Sequence, residues 1–144
     1  MPAKALVGAC SDDTYPFEKF LAEDRGLHEG YRFPLRNPGG LAPLVHRDRL
    51  PILYEAAKIY LGVALKHRPW IDKVVVIGHQ NCAMYADFLP DLYGNEILDL
   101  PGIAAAVVEL FSQIKRVELF YSVPNETTGK VNFQKIPADN LQPA

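Results

Sequence analysis

The sequence predicts an α/β fold, a mostly parallel β-sheet flanked by helices, in a single domain over residues 1–144. Three observations lead there. The run "KVVVIG" at 73–78 is continuous and rich in β-branched residues, as in a strand buried on both faces. Between Asp48 and His67, Leu50, Leu53, Tyr54, Ala57, Leu61, Ala64 and Leu65 recur at helical spacing. Strand-like and helix-like segments alternate along the chain, as crossover connections between parallel strands require. A length of 144 residues suits one domain whose core needs no staples.

The elements follow in order. "AKALVGA" (3–9) reads as a short buried strand closed by the turn "CSDDTYP". Ser11, Asp12 and Asp13 can each cap a helix, and Pro16 suits the first turn of one running through "FEKFLAE". "EGYRFPLRNPGG" reads as an extended piece ended by a Pro-Gly-Gly turn, and Pro34 argues for an edge strand or an irregular one. In the helix from 48 to 67, Asp48 is the expected cap and Pro51 lies in the first turn. After the strand at 73–78, Asn81 is the expected cap of a helix through "CAMYADFL". "LPDLYGNEILDLPG" is a loop with room for one helical turn, and 103–116 is helical in composition. "VELFYSV" and "KVNFQKI" read as a closing strand pair that bends near Gly129.

Composition removes several function classes. A net charge of -2 gives no basic surface for nucleic acid. No apolar run is long enough to span a membrane, and the N-terminus lacks the pattern of a signal peptide, so a cytoplasmic protein is expected. The only cysteines are Cys10 and Cys82, and a structural disulfide between them is not expected in a reducing compartment.

Those cysteines stand where chemistry is expected. Cys10 ends the first strand, and His79 and Cys82 follow the strand at 73–78. In parallel sheets, ligands bind beyond the carboxyl ends of strands. If the two strands are neighbours, the three side chains meet. Zinc prefers four tetrahedral ligands drawn from thiolate, imidazole and carboxylate. Cys10, His79 and Cys82 supply three, and Asp12 lies two residues from the first. The rival readings are two buried cysteines that act as small hydrophobes, or a thiol enzyme using Cys82 with His79 but with no visible third group to orient the imidazole.

Taken together, "ACSDD", "LRNPGG", "VVVIGHQNCAM" and "VELFYSVPNETTGKV" resemble the β-class carbonic anhydrase family in order and over nearly the whole chain. That family carries C-x-D-x-R, R-N-x-G-N, G-H-x-x-C-G and a late strand that turns at T-G-K. The resemblance implies a β-carbonic-anhydrase-like fold. It implies zinc (Zn2+) ligated by Cys10, His79 and Cys82, with Asp12 beside the metal and Arg36 and Asn37 opening the R-N-x-G-N turn. It implies reversible hydration of carbon dioxide to bicarbonate by zinc-bound hydroxide, and assembly as a homodimer or dimer of dimers.

The departures carry information too. Thr14 replaces the family arginine, Ala83 replaces the glycine after the second cysteine, and Gly40 replaces the final asparagine of the turn. The family's N-terminal helical arm has no counterpart before the first strand, and the stretch from Met84 to Val117 is short for the family. In the family the arginine holds the aspartate off the metal. With Thr14 there, the zinc is the nearest cation to Asp12, and an unpaired buried carboxylate is costly. A closed Cys-Asp-His-Cys site is therefore expected in at least one state, with Arg36 the foremost substitute partner for Asp12. This leaves two classes: a zinc enzyme acting on carbon dioxide or hydrolysing a related small molecule, and a non-catalytic zinc-binding relative. His28, His46 and His67 read as surface histidines, with His46 the first to test as a proton carrier because it follows the "RNPGG" turn. Tyr15, Tyr85 and Phe88 read as core or contact residues.

Overall fold

The computed structural model describes residues 3–11, 17–27, 32–37, 39–124, 127–128 and 130–137. Strands β1 (Ala5–Cys10), β2 (Arg32–Asn37), β3 (Lys73–His79), β4 (Arg116–Pro124) and β5 (Val131–Ile136) form one sheet in the order β2-β1-β3-β4-β5. The first four are mutually parallel and β5 returns antiparallel to β4. The helices are α1 (Phe17–Asp24), α2 (Pro51–Lys66), α3 (Ala83–Phe88) and α4 (Leu100–Leu110).

Strand side chains alternate between the two faces. Leu6, Val74, Val76, Leu119 and Tyr121 join a core with Tyr54, Leu61 and Leu65 of α2 and Ile103 and Val107 of α4. Ala5, Val7, Val75, Ile77 and Phe120 face the other way, onto Phe17, Phe20 and Leu21 of α1. The middle of the sheet is thus covered on both sides, which accounts for the unbroken apolar run of β3. Pro34 lies in β2, an edge strand, as its missing N–H requires. Among the described residues no helix is long and apolar enough to cross a membrane.

Several boundaries differ from the sequence reading. Leu50, not Asp48, precedes α2, and it makes no side-chain cap; Pro51 itself starts the helix. Leu53 is on the rim rather than in the core, at 38% exposure. The last helix begins at Leu100 and ends at Leu110, because Arg116 already pairs with Lys73 in the sheet. The loop after α3 holds two short 3₁₀ turns, Pro90–Leu92 and Glu96–Asp99. The expected cap residues Asp12 and Asp13, together with Tyr15, Pro16, His28 and Gly129, lie outside the described residues.

At the amino ends of the strands, Glu118 of β4 takes salt bridges from Arg25, Lys73 and Lys135. Burial alone would push its carboxyl up; Lys73 and Arg25 outweigh that and hold it below its ordinary 4.5. A depressed folded value adds stability above pH 4.5, and that stability is lost as pH falls through the folded value. Glu118→Gln should therefore cost about 1–2 kcal/mol at neutral pH. The gap between variant and wild type, measured by urea unfolding, should close on acidification.

Candidate metal centre

The chain leaves β1 to one side, into β2, and later returns on the other side as β3. The carboxyl ends of β1 and β3 therefore flank the point where strand order reverses, the crevice in which α/β sheets bind ligands. β1 and β3 are direct neighbours, with Ala9 opposite Ile77. Cys10 is the last residue of β1, His79 the last of β3, and Cys82 immediately precedes α3. One ligand atom from each of these three residues lies within 4.8 Å of the others. All three are buried, at 7%, 2% and 2% exposure.

The two sulfurs are 3.8 Å apart. A tetrahedral ion with metal–sulfur bonds of about 2.3 Å has a sulfur–sulfur edge of about 3.8 Å, so the spacing suits one shared ion. Nδ1 of His79 lies 3.0 Å from the Gln80 carbonyl oxygen. A carbonyl can only accept, so Nδ1 carries the proton and Nε2 offers the lone pair, the arrangement of a metal-ligating imidazole.

The local backbone explains how His79 and Cys82 come to face one centre. Asn81 adopts φ 59°, a left-handed conformation that asparagine tolerates better than most residues, and it folds the chain back on itself. Asn81 is thus the turn and not the helix cap; Cys82 occupies the cap position. The Gln80 amide donates to the Ser122 carbonyl at 3.0 Å, anchoring the turn to β4.

The Gly39–Gly40 turn closes the other side. The Gly39 amide donates to Cys10 Sγ at 3.4 Å. Gly40, at φ 59°, passes so close to β1 that a Cβ there would meet the Ala9 and Cys10 backbone at 3.2–3.3 Å. The Asn37 carbonyl accepts from Ser11 at 3.1 Å and Gly40 at 2.8 Å, so the β1 and β2 loops are stitched together. Arg36 donates through Nε to the Cys10 carbonyl at 2.9 Å and through Nη1 to Glu18 at 2.5 Å, and its guanidinium lies over Phe17. It thus reaches the metal loop, while Asp12 and Thr14 lie outside the described residues.

The Cys10 sulfur, followed by burial, pushes the Cys82 thiol far up; the Tyr85 and Met84 amides at the start of α3 pull the other way. Two thiolates side by side in a buried site need a cation between them, and metal binding would displace their protons. A small cavity of ≈ 20 Å³ touches all three side chains and is also lined by Leu41, Tyr85 and Glu96. That is room for about one water molecule.

Sequence reading missed the groups that brace this centre. Glu96, 4% exposed, accepts from the amides of Cys82 and Gly94 and from the Tyr121 hydroxyl, each at 3.0 Å. Tyr85 donates to Asp99 at 2.5 Å, and the same oxygen meets His46 Nε2 at 2.7 Å. His46 is therefore a hydrogen-bond partner of Asp99 and not a free surface histidine, whereas His67 is exposed. Burial of Tyr85 and its contact with Asp99 push its phenol up. Phe88 is 56% exposed and does not wall the cavity. Glu96 and Asp99 stand in a loop with no motif spacing to the ligands, so nothing in the sequence pointed to them.

The fold occurs in solved proteins. The β-carbonic anhydrase CafA of the fungal pathogen Aspergillus fumigatus superimposes with a TM-score of 0.51 and 18% identity, over 94% of this chain and 76% of that one. Tetrameric β-carbonic anhydrases of the filamentous ascomycete Sordaria macrospora superimpose at 0.50 and 14% identity, over 95% of this chain and 84% of theirs. The chain has the β-carbonic anhydrase fold. No protein-family model matches the sequence, and no curated protein matches it either. In this β-carbonic-anhydrase-like frame, Cys10, His79 and Cys82 form a group that could hold a metal ion.

Cobalt(II) titrated into the metal-free protein at neutral pH should bind one ion per chain and release protons. It should also give thiolate-to-metal charge-transfer absorption. Cys82→Ser should weaken that band and the affinity together.

Proposed function

We propose that Cys10, His79 and Cys82 hold a zinc ion and that the protein hydrates carbon dioxide reversibly, carbon dioxide and water giving bicarbonate and a proton. The observation that carries this reading is the convergence of two thiols 3.8 Å apart and one imidazole within 4.8 Å of them, at the strand-order reversal of a β-carbonic anhydrase fold. The donor set suits zinc, which favours sulfur and imidazole in a four-coordinate shell. When bound, zinc supplies the acidity that brings a water's pKa from about 15.7 toward about 7. The chain's own groups do the rest. The Gln80 carbonyl fixes the imidazole tautomer. Backbone amides from Gly39 and the start of α3 temper the sulfur charge. Leu41, Leu100 and Ile103 give the cavity an apolar wall suited to a nonpolar gas.

Asp12 is the residue on which turnover depends in this reading. It follows Cys10 by two positions, and Thr14 stands where the resembling family has arginine. Without that arginine the carboxylate fills the fourth position, giving a closed Cys-Asp-His-Cys site, and Arg36, which bonds the Cys10 carbonyl, is the substitute partner for it in this reading. A centre that stays closed is a structural zinc site without activity.

Metal content and carbon dioxide hydration rate, for wild type and Thr14→Arg, test both parts. We expect one zinc per chain, slow hydration in the wild type, and a rise of at least tenfold in Thr14→Arg. A folded protein that takes up no zinc sinks the whole proposal. Fast wild-type hydration with no gain in the variant sinks the closed site alone.

A homodimer is part of the same reading. β2 is an edge strand, and beside it α2 exposes Ile59, Tyr60 and Val63 at 58%, 54% and 54%. These residues share an apolar groove with Phe33, Leu35 and Arg68. Apolar groups this exposed, next to an open strand edge, mark an association surface. Val63→Glu should move the sedimentation coefficient from that of a dimer to that of a monomer.

A further inference from the structure

We infer that Glu96 is the positioning residue of the metal centre, holding the Cys82 turn so that its sulfur faces Cys10 and His79; this rests on the metal reading above. As the residue just before α3, Cys82 has a backbone amide with no carbonyl of its own helix to bond. That amide goes instead to Glu96 Oε2 at 3.0 Å. The Gly94 amide donates to the same oxygen at 3.0 Å, from a residue whose φ of 86° turns it inward. The Tyr121 hydroxyl fixes Oε1 at 3.0 Å from β4. The carboxylate is thus held from three sides, at 4% exposure, and its grip falls on the peptide that carries the Cys82 side chain. The turn it restrains is the left-handed one at Asn81, whose other side the Gln80 amide ties to Ser122 of β4. Partners one bond beyond a metal ligand govern affinity because they orient the ligand.

The test compares Glu96→Ala, Glu96→Gln and Val107→Ala. The last removes buried α4 volume outside the cavity lining and serves as a stability control. Cobalt(II) affinity is measured by competition with a chromophoric chelator, alongside the thiolate charge-transfer band. Amide hydrogen exchange is followed in the metal-free protein. In Glu96→Ala we expect a 10–100-fold loss of affinity. We also expect a shifted band and faster exchange at Cys82 and Gly94, with β3 unchanged. Glu96→Gln, which keeps an acceptor oxygen, should restore most of the affinity, and Val107→Ala should leave both affinity and band unchanged. Wild-type affinity and exchange in Glu96→Ala would overturn the inference, as would an equal affinity loss in Val107→Ala. If the wild type binds no cobalt, the metal reading itself fails, and slow Cys82 exchange in metal-free Glu96→Ala would then overturn the positioning role as well.

Discussion

The parallel pairing of β1 with β3 is the constraint on which everything at this centre rests. It sets Ala9 opposite Ile77 and so brings the last residues of the two strands to one edge, although 69 positions separate Cys10 from His79. A register slip of one residue would turn every side chain of β3 to the opposite face and carry the imidazole away from the thiols. Such a slip is blocked by burial. Val74 and Val76 fill the face under α2 and α4, while Val75 and Ile77 fill the face under α1. The hydrophobic core therefore acts at a distance on the chemistry by fixing which way His79 points.

Around the pairing lies a second level of order made of backbone hydrogen bonds. Three loops meet at the two sulfurs: the Asn37–Gly40 turn, the His79–Cys82 turn and the Glu96–Asp99 segment. Each contributes N–H or carboxylate groups in place of bulk water. Burying two thiols, an imidazole and a carboxylate together would be costly if any were unsatisfied. The Cys10 sulfur and the Glu96 carboxylate are met by amides that the turns leave without partners in any case.

Much of this was readable in the sequence. The β-branched run at 73–78 reads as an interior strand because its side chains need cover on both faces, and Pro34 points to an edge because it lacks a backbone N–H. Cys10, His79 and Cys82 were readable because they fall at strand ends, where side chains gather. What could not be read depends on tertiary context. Asn81 looks like a helix cap in sequence, but the need to aim Cys82 back at β1 makes it a left-handed turn. The end of α4 is set by Arg116 joining the sheet beside Lys73, a partnership without local signature. Glu96 and Asp99 resemble ordinary loop acids until folding takes them out of water and gives them Cys82, Tyr121, Tyr85 and His46 as partners.

The 3.8 Å between Cys10 and Cys82 has a practical side. A disulfide bond is about 2.05 Å long, so the sulfurs need move less than about 2 Å to join. In air, metal-free protein is consequently exposed to an internal cross-link, with dioxygen taking up the two electrons, that would remove both thiols at once. Handling under a reductant thus keeps both thiols available.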